Sequence, residues 1–115
     1  MVKQINEINF KKGDYLALAV YASSPQELEE RYKIKFIEDF DDLDYLKCAF
    51  FYAKDNLTNV EDYFMFQRHL NSPEKGTVIY VLNRDVNIIN RIKKYLIELN
   101  MDINISWWCD KSLLI

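Results

Sequence analysis

The chain has 115 residues, of which 50% are hydrophobic and 15% aromatic, and it carries a formal net charge of −3. That length suits one domain around one core, and the composition is too apolar for a chain that stays disordered. The longest apolar run, Tyr15 to Ala22, falls far short of the roughly 20 residues that span a bilayer, and the polar start Met1 to Glu7 lacks a secretory signal, so a cytoplasmic protein with no membrane contact is expected.

Ile5, Ile8 and Phe10 precede the turn-forming Lys11-Lys12-Gly13-Asp14, and Tyr15–Ala22 follows. The pattern predicts a hairpin whose second strand is central, because a strand apolar at successive positions needs cover on both faces. Ser24-Pro25-Gln26-Glu27 then has the form of a helix start: serine caps, proline supplies the preset φ of the first turn, and Glu27 reaches back to the cap amide. Leu28 and Tyr32 face inward from this helix. Beyond it Ile34, Phe36, Glu38 and Phe40 alternate, so extended chain should begin near Lys33.

Leu43 to Lys54 fits either period, and its aromatic enrichment favours a strand over Cys48 to Ala53. Thr58-Asn59-Val60-Glu61 has capping-box spacing, predicting a helix with Val60, Tyr63, Phe64 and Gln67 on one face; a strand over Tyr63 to Phe66 is the alternative. Ser72-Pro73-Glu74-Lys75-Gly76 reads as a loop and Thr77 to Leu82 as a buried strand. From Val86 to Leu99 a stripe of Ile88, Ile92, Tyr95 and Leu99, flanked by Val86, Ile89 and Leu96, predicts a helix ending on Asn100 in the left-handed conformation. A last strand is expected over Asp102 to Cys109. Its alternation puts Ile103, Ile105, Trp107 and Cys109 on the apolar face and Trp108 on the polar one, either beneath a helix or loop or as an exposed anchor. The expected class is α/β (α+β): one domain over residues 1–115, with a mixed sheet and about three helices packed against it.

Several chemistries lack their residues. With only Gly13 and Gly76, neither a P-loop nor a dinucleotide fingerprint can be built. His69 is the sole histidine, and Cys48 and Cys109 lack the paired spacing of metal or redox sites, so no catalytic residue, metal or cofactor is expected. Ser23 and Ser24 have no flanking glycine to make a nucleophile elbow.

The most unusual composition lies between Glu27 and Asp44, where eight acids stand against three bases, a local balance of −5. Within it, Glu38, Asp39, Asp41, Asp42 and Asp44 interleave with Phe36, Phe40 and Tyr45. One reading is a solvated acidic loop. The other is an interface of aromatic anchors inside a charged rim, with Glu38, Asp39, Phe40, Asp41, Asp42, Asp44, Tyr45 and Trp108 as its candidate residues. The charge points to a basic protein partner rather than to nucleic acid. A monomer or weak dimer is expected.

Asp42-Leu43-Asp44-Tyr45-Leu46, with a late helix followed by the strand at Asp102 to Ile105, resembles the acidic helix and terminal elements of the barstar-like immunity proteins, which inhibit nuclease toxins. Leu43, Asp44 and Leu46 match, and Asp44 falls on an acid that plugs the nuclease site in that family. The family's second acid would fall on Cys48, leaving the inhibitory pair incomplete. The resemblance implies a bacterial protein that neutralises a basic toxin without catalysis. Two other readings stand beside it: a phage-type antagonist of a host nucleic-acid enzyme using the same acidic surface, or an enzyme or small-ligand domain built on Glu61 and Asp62 with Tyr63.

Overall fold

The computed structural model describes residues 1–41, 44–72 and 75–109. Among the described residues, seven strands form one sheet: β1 (Val2–Ile5), β2 (Leu16–Tyr21), β3 (Ile37–Asp41), β4 (Asp44–Lys54), β5 (Glu61–His69), β6 (Thr77–Val81) and β7 (Ile105–Trp108), with helices α1 (Pro25–Tyr32) and α2 (Ile88–Glu98). The strand order is β1-β4-β5-β6-β2-β7, with β3 also paired to β4. Every pairing among the described residues is antiparallel, so the sheet they form is not mixed. The class is α+β, mostly sheet, with two α-helices rather than about three.

The N-terminal hairpin does not form. β1 pairs with β4 and β2 with β6, while a 3-10 turn at Glu7–Asn9 carries the chain between them. β2 is nonetheless interior, and Leu18, Ala19, Val20 and Tyr21 are all buried, as its unbroken apolar run requires.

α1 starts as the sequence dictates. The Glu27 amide donates to Ser24 Oγ at 3.2 Å and the Ser24 amide to Glu27 Oε1 at 3.0 Å, with Pro25 in the first turn. It stops at Lys33, which takes a left-handed φ of 58° and leads into β3. α2 ends at Asn100, φ 62°, where the Met101 amide reaches back to the Leu96 carbonyl.

The segment after Thr58, expected as a helix with a strand over Tyr63 to Phe66 as the alternative, is strand β5. The Thr58 hydroxyl and amide both donate to Asp55 Oδ2, at 2.7 and 3.2 Å, and Asn59 adopts φ 60°, so Thr58 builds the β4–β5 turn instead of capping a helix. Asp62, Phe64 and Phe66 then face inward with period two.

Both helices lie on one face of the sheet. Leu28 of α1 and Ile88, Ile92, Tyr95 and Leu96 of α2 share one core with Leu18, Phe51, Phe64, Phe66, Ile79 and Val81. The opposite face has a smaller cluster of Leu46, Cys48 and Phe50, with Ile5, Phe10 and Met65 against it, covered by the chain that carries the 3-10 turn. Gly76 is needed where β6 starts, because a Cβ there would overlap the Tyr21 carbonyl oxygen of β2. Of the expected Ser72–Gly76 loop, Pro73 and Glu74 lie outside the described residues.

Candidate functional site: the β3–β4 hairpin

The acidic segment forms the hairpin β3–β4, in unbroken register from Ile37↔Cys48 to Asp41↔Asp44. Of its described residues, Glu38, Asp39, Phe40 and Asp41 lie on β3 and Asp44, Tyr45 and Leu46 on β4, not in a loop or a helix. Asp42 and Leu43 lie outside the described residues.

Phe40 and Tyr45 stand directly opposite one another, rings edge to face with centroids 5.1 Å apart. They remain 60% and 57% exposed. Burial of such rings is favourable by roughly 25 cal/mol per Å² of apolar surface, so two of them left in water at one hairpin mark a surface that gains from cover. Glu38 and Asp39 on the same strand are exposed, and Asp39 Oδ1 accepts the Phe40 amide at 2.7 Å. Glu38 lies opposite Lys47, whose ammonium sits 3.5 Å from Glu29 of α1.

Asp44 differs from the free, solvated acid expected. Its oxygens accept from the Asn71 amide at 3.2 Å and the Asn71 side chain at 2.8 Å, and His69 Nδ1 lies 3.7 Å away. It ties the hairpin to the turn after β5.

Trp108 does not join this surface. β7 is the far edge strand, separated from β3 by β4, β5, β6 and β2. The register of β7 against β2 shifts between Val20 and Tyr21, which resets the alternation. In consequence Ile105 and Trp108 pack on the core, with the Lys93 ammonium 5.6 Å from the Trp108 ring, while Trp107 is 54% exposed. The two tryptophans thus exchange the faces expected from strict alternation.

The carboxylates of β5 are structurally engaged. Asp62, 1% exposed, receives Arg91 Nε at 2.7 Å, Arg91 Nη2 at 3.0 Å, the Tyr95 hydroxyl at 2.6 Å and Asn83 Nδ2 at 3.1 Å. Burial acts to raise the Asp62 pKa, but these donors outweigh it and hold the carboxyl below the usual range. Glu61 accepts from the Tyr52 hydroxyl at 2.6 Å, and that bond pushes the phenol up to about 12, away from any acid–base role near neutrality. Cys48 is buried, and burial raises its thiol to about 12.

Among the described residues, no three or more His, Cys, Asp or Glu side chains are grouped to hold a metal ion, and no helix is long and apolar enough to cross a membrane. No protein-family model, curated protein or solved structure matches this chain.

Proposed function

We propose that the chain is a non-enzymatic binding protein that neutralises a basic protein, of the nuclease-toxin type, through the β3–β4 hairpin. The observation that carries this reading is the exposed Phe40–Tyr45 pair set among Glu38 and Asp39. Such a pair supplies apolar area that is desolvated on contact, and the surrounding acids speed encounter with a cationic surface without requiring any catalytic group. The burial of Asp62 in its bonds to Arg91 and Tyr95 supports this reading over one built on the β5 carboxylates. The reading is tested with the product of the neighbouring gene, where that encodes a basic toxin domain. Nuclease activity should fall stoichiometrically on adding this protein, and undiminished activity at excess protein would refute it.

A further inference from the structure

Among the described strands, β3 is the acidic strand on an open edge. It pairs with β4 alone, over five residues without a register shift, proline or bulge. The other outer strands differ: β1 carries Lys3 and ends at the Met1 ammonium, which bonds the Lys54 carbonyl, and β7 is four residues long and bulged.

The backbone of β3 has a defined outward side. In an antiparallel pair, alternate residues exchange both of their hydrogen bonds with the partner strand and the others point both groups away. The Phe40 amide donates to its neighbour's carboxylate, Asp39 Oδ1, and the carbonyl of Tyr45, its partner on β4, accepts the Leu70 amide on the far side of β4, which marks Phe40 and Tyr45 as a pair that does not exchange backbone bonds. Phe40 and, by alternation, Glu38 therefore turn their backbone N–H and C=O groups outward.

Resting on the reading of a basic partner, we infer that the partner docks by strand addition: an extended, lysine- or arginine-rich segment lies alongside Ile37–Asp41 and bonds the outward groups of Glu38 and Phe40. Charge selects this occupant. A second copy of β3 would set acid against acid, whereas an alternating basic strand sets its cations on the Asp39 face, where they draw off the Asp39 carboxylate and free the Phe40 amide, and turns its apolar residues to the Phe40 face. The exposed Phe40 ring then packs against an apolar residue of the incoming strand.

The probe is an end-blocked hexapeptide of alternating lysine and valine, compared with a copy methylated at every backbone nitrogen, which keeps the charge and removes the backbone donors. At ten times its Kd, the unmethylated peptide should slow hydrogen exchange at the Glu38 and Phe40 amides about tenfold, and the methylated copy should not. Glu38→Pro, tolerated on an open edge, should abolish binding of the unmethylated peptide, while Glu38→Gln should weaken it only slightly, with circular dichroism of both unchanged. Equal binding of the two peptides without amide protection would overturn strand addition and leave a side-chain-mediated basic partner standing. Binding of neither peptide would overturn strand addition, and the toxin assay would then decide the broader reading on its own.

Discussion

Arg91 grips Asp62 with two near-parallel hydrogen bonds, Nε to Oδ2 at 2.7 Å and Nη2 to Oδ1 at 3.0 Å, under the helix face that also carries Tyr95. The pair joins α2 to β5 across 29 residues of sequence. Both side chains are within a few per cent of complete burial; losing Arg91 strands the Asp62 charge, whereas losing Asp62 leaves the guanidinium with Asp85 alone, whose Oδ2 accepts from Arg91 Nη1 at 2.8 Å.

Asp62→Asn should therefore cost at most about 3–5 kcal/mol in urea unfolding, because Arg91 keeps its bond to Asp85. The asparagine amide would also face the donors of Arg91 and Tyr95. Replacing the acid and base together by leucine and methionine should recover much of that loss. A single substitution costing under about 1 kcal/mol would mean the pair is solvated.

The same carboxyl sets a pH dependence with a definite sign. Its folded pKa lies below the unfolded value of about 3.9, so its contribution is fully present above that pH and is lost as pH falls through the folded pKa. The stability gap between the native chain and Asp62→Asn should be constant from about pH 5 to 7 and should shrink below about pH 4. Unfolding midpoints measured across that range check it; a gap that widens on acidification contradicts it.

The helix expected over β5 rests on the capping-box spacing of Thr58 and Glu61 and on Asp62, which interrupts the apolar alternation. The inward face of β5 is Asp62, Phe64, Phe66, and a charged residue at a core position hides a period of two. What makes the aspartate tolerable there is Arg91, a tertiary partner that no local pattern reveals. Where local chemistry decides alone, sequence sufficed: the Ser24–Glu27 box, the exit at Lys33 and the Asn100 terminus all form as expected. The aromatic–acidic interleaving of Phe40 and Tyr45 was legible too, although its hairpin geometry was not. The exchange of Trp107 and Trp108 follows from a register shift beside Tyr21, which alternation cannot anticipate.

Gly76→Ala should destabilise by more than the roughly 1–3 kcal/mol usual for overpacking. The added methyl meets backbone, the Tyr21 carbonyl, which is fixed by the pairing of Tyr21 with Thr77. Thermal unfolding reads this directly, and an unchanged Tm would show that β2 and β6 can separate without loss.

Thiol labelling should divide the two cysteines. At pH 8 Cys109, exposed at the end of β7, should react promptly, while Cys48, buried with its thiol raised to about 12, should react only after unfolding. Mass spectrometry after brief alkylation should find a single adduct on Cys109; prompt modification of Cys48 would place it at the surface.

Asp44→Asn should behave unlike Asp39→Asn. Asp44 holds both the Asn71 amide and side chain, so its loss should cost about 1–3 kcal/mol, whereas the exposed Asp39 should change stability by less than about 0.5 kcal/mol. Chemical denaturation of the two variants side by side gives the comparison, and equal midpoints would mean that the hairpin is not anchored to the turn after β5.

The proposal that the β3–β4 hairpin is the binding surface is tested most directly by the dissociation rate of the complex with a basic toxin domain for Phe40→Ala, Tyr45→Ala and the double variant. Each ring is exposed in the free protein, so these changes should leave the fold intact. Dissociation should accelerate by an amount equivalent to about 2 kcal/mol or more for an anchor ring, with little change at low or high salt. Asp39→Asn should instead slow association and flatten its salt dependence. Unchanged rates in all four variants would contradict the proposal and place the binding surface elsewhere on the molecule.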